Sequence, residues 1–182
     1  RPCGGEVSGS GATTLVVGSI AFDAVKTPFG QVDRMLGGSA TYFALAASFF
    51  TLVRVVGVVG EDFTEREIAV FTGRGICTAG LERAPGRTFF WAGEYSDDLN
   101  ERRTLETQLN VFAEFQPKIP AAYRDSEFLF LGNIDPELQR HVLSQMSKPR
   151  LVAGDTMNFW IQGKPEALRQ TLEGLDGLVI ND

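Results

Sequence analysis

The residues best suited to chemistry form one short run, Gly37-Gly38-Ser39-Ala40-Thr41. It opens a stretch in which Ala40, Phe43, Ala44, Ala47 and Phe50 recur at helical spacing. Two adjacent glycines let a ligand reach the backbone. The N–H groups and dipole at a helix start favour oxygen-rich or anionic partners. A tight turn with close helix–sheet packing accounts for the same pattern. The run is not a Walker A loop, because no Gly-Lys-Ser/Thr follows, and it is not a G-x-G-x-x-G fingerprint. Asp23 stands just after the first apolar run, and a carboxylate accepts hydrogen bonds from two vicinal hydroxyls, as in a polyol or ribose. Other polar residues follow later apolar runs: Gly60–Asp62, Asn133, Asp155 with Asn158, and Asn181-Asp182. Turn geometry explains any one of them alone. His141 is the only histidine, has no second His to form a metal pair, and meets no G-x-S-x-G elbow. It is expected to be a surface or half-buried helix residue.

The elements that must position these residues alternate. Thr14–Ile20 and Leu52–Val59 read as buried strands, and Gly38 onward and Phe63–Gly73 as helices, with Ile68 and Phe71 inward. Ala24–Met35 holds Pro28 and Gly30 and reads as a hairpin or excursion. Within Leu81–Leu109, Thr88–Tyr95 and Thr104–Leu109 flank the turn cluster Ser96–Asn100, which predicts a second hairpin. Phe89, Phe90 and Trp91 alternate across its first strand, so one face is available to cover a ligand or a partner chain. Phe128–Leu131, Arg150–Ala153 and Gly177–Ile180 then read as strands, alternating with helices over Pro136–Met146 and Pro165–Leu172. Such alternation predicts an α/β fold with a doubly wound, mostly parallel sheet. Ligands bind beyond the carboxyl ends of the strands of such a sheet, where the polar residues gather.

Composition bounds the rest. The chain has 182 residues, of which 20 are glycine, about 11% against the usual ~7%. The net charge of −6 argues against a nucleic-acid-binding surface. Apolar runs are broken at Arg54, Glu61 and Asp62, too early to span a bilayer. Cys3 and Cys77 lack a metal-binding spacing, so neither a disulfide scaffold nor a zinc site is expected, and the default compartment is the cytoplasm. Residues 1–13 are Gly/Ser-rich and are expected to be a flexible lead-in to a domain over 14–182.

With these pieces in order, the chain resembles a ribokinase-type (PfkB) carbohydrate kinase. VVGSIAFD at Val16–Asp23 is similar to the family's first strand with its substrate-contacting Asp. LGGSATYFALAASFF at Leu36–Phe50 resembles its Gly-Gly signature leading into an Ala-rich helix. VVGVVGEDF at Val55–Phe63 and LVIND at Leu178–Asp182 resemble two further family segments, the latter entering an Asn-x-x-Glu motif. The resemblance implies a ribokinase-like fold with a small β-sheet lid, formed near 24–36 and 81–109, whose C-terminal part is absent from this chain. It implies an ATP- and Mg2+-dependent phosphotransferase acting on a hydroxyl of a small sugar, nucleoside or related alcohol. Asp23, Gly37, Gly38, Ser39, Tyr42 and Asn133 would lie on the substrate side. Asp155, Asn158 and Asn181 would lie on the nucleotide and phosphate side, with no direct metal ligand.

The family's second signature, with the catalytic Asp, does not occur, so the base is expected downstream of Asp182 and the fragment alone is expected to be inactive. Ala21, Tyr42 and Ser39 stand where ribose-binding members often carry Asn, Asn and Lys, which points away from ribose itself. A homodimer paired through the lid is also implied. Two other readings remain at this level. One is a non-catalytic sugar- or nucleoside-binding domain. The other is a Rossmann-type oxidoreductase, disfavoured because no glycine fingerprint follows the first strand.

Overall fold

The structure, a computed structural model, describes residues 11–180. In chain order its first elements are β1 (Thr13–Val17), β2 (Ala21–Thr27), β3 (Gly30–Gly37), α1 (Ser39–Ala47), β4 (Leu52–Val59) and α2 (Glu65–Thr72). Then come β5 (Cys77–Arg83), β6 (Phe89–Tyr95), β7 (Arg102–Gln108) and two 3-10 turns, Asn110–Glu114 and Ala121–Tyr123. The rest is β8 (Phe128–Leu131), α3 (Pro136–Gln145), β9 (Leu151–Asp155), α4 (Asn158–Gly163), α5 (Pro165–Leu172) and β10 (Gly177–Val179).

Consecutive residues Leu15, Val16 and Val17 are all fully buried, which only a strand covered on both faces allows. β1 lies at the centre of a parallel six-stranded sheet of order β10-β9-β8-β1-β4-β5. One face packs Leu15, Val17, Val56, Leu129 and Leu131 against Val142 of α3 and Tyr123. The other packs Val16, Val55 and Phe130 against Ala40 and Ala44 of α1, Phe71 of α2 and Phe63. The sheet is therefore doubly wound. The chain fills it outward from β1, first through β4 and β5, then on the other side through β8, β9 and β10, so the strand order switches direction beside β1.

A second sheet, of order β3-β2-β6-β7, stands apart from the first. β2–β3 and β6–β7 are antiparallel hairpins joined by a parallel β2–β6 pairing. β1 passes into β2 through only Gly18, Ser19 and Ile20, so one apolar run serves two sheets. This differs from the expected single strand Thr14–Ile20. β1 also starts at Thr13, inside the segment read as a lead-in. The second hairpin begins at Phe89, because Cys77–Arg83 joins the main sheet beside β4 as an edge strand that sequence pattern did not show.

Helix starts follow ordinary rules. Thr64 caps α2 with a capping box to Glu67. Asp135 caps α3, whose first turn contains Pro136. No helix of the described residues is long and apolar enough to cross a membrane.

Candidate functional site at the small sheet and the main-sheet edge

The Gly-Gly pair has two different reasons to be glycine. Gly38 has φ +94, and a Cβ there would sit 2.3 Å from the Ser19 carbonyl oxygen. At Gly37 a Cβ would sit 2.1 Å from Asp23 Oδ2 and 2.5 Å from Oδ1, so the Asp23 carboxyl lies over the Gly37 α-carbon. Ser39, which follows, is tied to the end of β1. Its N–H donates to Ser19 Oγ at 3.0 Å, the Ser19 N–H donates to Ser39 Oγ at 3.3 Å, and the Ala40 N–H donates to the Ser19 carbonyl at 3.0 Å. Of the two readings of this helix start, a seat for an oxygen-rich ligand and a tight turn with close packing, the first two N–H groups of α1 fit the turn, since they serve Ser19. The Ser39 hydroxyl wedges against Gly18 and Gly132, where a Cβ would approach it to 2.8 and 2.6 Å.

Asp23 is not in a loop after a main-sheet strand, as expected. It lies inside β2, with Met35 of β3 on one side and Trp91 of β6 on the other. Burial pushes its carboxyl up to about 6, and the Arg102 guanidinium pulls partly back. No hydrogen bond of the described residues ends on that carboxyl. Tyr42 of α1 is half exposed and donates its hydroxyl to the Leu36 carbonyl at 3.2 Å. Its phenol is raised first by burial, then by the charges of Asp23 and Tyr95, which places all three groups in one neighbourhood.

A second group gathers where β8 and β9 end. The Asn133 amide is engaged. Its Oδ1 accepts from Trp160 Nε1 at 2.9 Å, and its Nδ2 lies 3.0 Å from Met157 Sδ. Gln139 is buried, and its amide nitrogen reaches the carbonyls of Leu131, Gly132 and Asp155 at 3.3, 2.9 and 3.1 Å. It thereby ties the two strand ends together. Burial pushes the Asp155 carboxyl up to about 7, opposed by a hydrogen bond from its own N–H. Asp155 Oδ1, Thr156 Oγ1 and Thr41 Oγ1 are buried without a hydrogen-bond partner among the described residues. Buried polar atoms are normally paired, so Asp155 and Thr156, consecutive at the end of β9, suit a polar ligand at that strand end. Asn158 is exposed at the start of α4, and Asn181 lies outside the described residues.

Sequence reasoning missed Gln139, Trp160 and Thr156. For Gln139 a signal existed: Pro136, Gln139 and Val142 are the buried residues of α3, so a polar residue sits on the inward stripe. His141 is exposed, as expected. A groove of about 350 Å3 lined by Phe22, Arg34, Asp62, Thr88 and Phe90, among others, opens beside the lid. Of the polar residues that follow the apolar runs, Asp62 lines it. Among the described residues, no three His, Cys, Asp or Glu side chains gather to hold a metal ion.

No protein-family model matches the chain, and no curated protein does. Solved structures do match its fold. A Methanocaldococcus jannaschii nucleoside kinase of the ribokinase family superposes with a TM-score of 0.70 at 17% identity, over 93% of this chain and 61% of that one. Ribokinase from Cryptococcus neoformans var. grubii, in complex with ADP, gives 0.74 at 18% identity, over 95% and 57%. A Burkholderia thailandensis nucleoside kinase in complex with inosine gives 0.64 at 14% identity, over 93% and 70%. The chain thus spans 57–70% of the length of these three structures.

Proposed function

From its ribokinase-like fold, shared with PfkB-type kinases, we propose that the chain forms the acceptor-binding part of a phosphotransferase. Such an enzyme moves the γ-phosphoryl group of ATP to a hydroxyl of a small sugar, nucleoside or related alcohol. One observation carries this reading. Asp23 holds a half-buried carboxyl that accepts no hydrogen bond among the described residues over Gly37, on a lid strand that springs from β1 where the sheet order switches. A vicinal diol would supply the hydrogen bonds this carboxyl lacks and would favour its charged form.

Each expected residue then has a place. Asp23 accepts from the acceptor hydroxyls. Gly37 and Gly38 let the carboxyl and the ligand approach the backbone, and Tyr42 closes the site from α1. Ser39 and Asn133, whose polar atoms are engaged by Ser19 and Trp160, position the site from behind. Asp155 and Asn158 border the phosphate side, with Asn181 beyond them. ATP supplies the phosphoryl group. Mg2+ would accompany the nucleotide phosphates, and no described residue is assigned as its direct ligand. No described residue is assigned as the base that deprotonates the acceptor. Phosphoryl transfer depends mainly on positioning and charge stabilisation, and a closed lid keeps water from the donor. Pairing of two copies through the lid belongs to the same proposal, because Val32, Met35 and Leu105 are exposed on the edge strands β3 and β7.

Titration calorimetry with ribose, fructose, adenosine and inosine tests the reading. The 182-residue chain should bind at least one of them, Asp23→Asn should weaken that binding about tenfold or more, and the chain alone should transfer no phosphoryl group. Binding that survives Asp23→Asn unchanged, or no binding at all, overturns it.

A further inference from the structure

The turn after β4 holds the root of the small sheet at two points, and the two are unlike. Asp62 Oδ1 accepts from the Thr88 N–H at 2.8 Å and from Thr88 Oγ1 at 2.7 Å, just before β6 begins. Thr88 is buried, and its Oγ1 also accepts from the Gly60 N–H at 3.0 Å. The Glu61 N–H donates to the Gly86 carbonyl at 2.8 Å, so backbone ties this side of the root as well. Arg34 of β3 meets the same turn differently. Its Nη2 donates to the Asp62 carbonyl at 3.0 Å and lies 3.7 Å from Asp62 Oδ2, too far for a hydrogen bond. The Arg34 side chain is 53% exposed. It walls two open grooves, one of about 350 Å3 with Thr88 and Phe90, the other of about 470 Å3 with Thr64 and Val70. The Thr88 contact is a fixed anchor, whereas water and salt reach the Arg34 contact.

The Arg34 contact also lies on a definite side. Phe22 and Asp23 are consecutive in β2, so they point to opposite faces of the small sheet. The Arg34 guanidinium sits over the Phe22 ring at 3.8 Å, and Phe22 packs against Phe63 with ring centroids 5.7 Å apart. Arg34 and Asp62 thus meet on the face turned away from Asp23. The Asp23 carboxyl and Tyr42 share the other side. β2 and β6 are paired from Ala21 to Lys26, which joins the two hairpins into one body.

We propose that the small sheet pivots as one body at Thr88, and that the Arg34–Asp62 pair is a latch holding it back from Tyr42. A swing that carries Asp23 towards Tyr42 lifts Arg34 off Asp62, while Thr88, at the root, stays in place. An acceptor that engages Asp23 and Tyr42 together therefore works against the latch. Removing the latch raises the population of the closed arrangement, and with it the apparent affinity. This regulation of the site rests on the acceptor-site reading of Asp23. The latch itself rests only on the geometry of the root.

Two measurements on the 182-residue chain test it, with circular dichroism melts to confirm that each variant folds. The first needs no ligand. Amide exchange followed by NMR compares wild type with Arg34→Ala, Arg34→Lys and Asp62→Asn. The asparagine keeps an oxygen for Thr88 and removes the charge that faces Arg34. The Ser19 and Ser39 amides tie the exit of β1 to α1. They should exchange about two- to fivefold faster in Arg34→Ala and Asp62→Asn, and near the wild-type rate in Arg34→Lys. The β2–β6 ladder should stay as protected as before. Unchanged exchange at Ser19 and Ser39, or faster exchange throughout β2 and β6, overturns the latch. The second measurement is titration calorimetry with adenosine and ribose. Arg34→Ala and Asp62→Asn should bind about two- to fivefold more tightly than wild type. Raising NaCl from low salt to about 0.5 M should tighten wild type and leave Arg34→Ala unmoved. A side chain that only packs the root would weaken binding when removed, so weaker or unchanged binding overturns the regulation. If neither compound binds wild type, the acceptor reading fails, and the exchange result still decides the latch.

Discussion

The Asp23 carboxyl rests on the α-carbon of Gly37, so close that a single methyl group at that glycine would overlap both of its oxygens. The atoms in the way are the end of a short side chain rather than backbone. Gly37→Ala should therefore swing the carboxyl aside with little effect on the fold. The expected outcome is a change of less than ~1 kcal/mol in unfolding free energy, with acceptor binding weakened about tenfold or more. Urea unfolding and calorimetry on the same variant check the two halves.

Gly38 gives the opposite result. Its φ of +94 disfavours any other residue, and the added carbon would meet the Ser19 carbonyl, a backbone atom that cannot move without shifting β1's exit. Gly38→Ala should destabilise the chain by about 2–4 kcal/mol, measured as a lowered urea midpoint. A stability equal to wild type contradicts the geometry of this turn.

Asp23 makes stability depend on pH in a specific direction. Its carboxyl ionises near 3.8 in the unfolded chain and at about 6 in the folded one. Between those values the folded state holds a proton that the unfolded state has released, so stability falls as pH rises from about 3.8 to 6. Asp23→Asn should flatten that part of the profile and make the protein more stable than wild type at pH 7. Acceptor binding runs the other way. It needs the carboxylate and should strengthen as pH rises through about 6. Thermal melts and titrations across pH 4–8 read both slopes.

Gln139 joins the ends of β8 and β9 through three carbonyls at once. Gln139→Leu keeps the volume but leaves buried carbonyl oxygens without this donor, which costs about 1–3 kcal/mol. Amide hydrogen exchange should show faster opening around Gly132 and Asp155 than around β1 and β4. Uniform destabilisation without that local pattern speaks against the tie.

Much of the α/β order was legible because buried parallel strands read as short apolar runs. Phe128–Leu131 and the helix Pro165–Leu172 fall where sequence pattern puts them. The misses have physical reasons. In Thr14–Ile20 the chain leaves one sheet for another at Gly18-Ser19, but two small residues within an apolar run read as strand interior, so Asp23 read as a loop residue instead of a lid residue. β5 is a half-buried edge strand whose CTAGLER sequence carries little apolar signal. α4 buries none of its residues and is too short to show a period. For the candidate site, residue types were legible but their occupancy was not. Ser39 and Asn133 look available in sequence, yet one faces Ser19 and the other Trp160.

The three-residue passage from β1 into β2 also sets how a ligand is held. Asp23 travels with the small sheet, while Tyr42 and the Gly38 turn stay with the large one. A molecule that touched both would be held across two sheets at once, and one too short to reach from Asp23 to α1 would be held by only one of them.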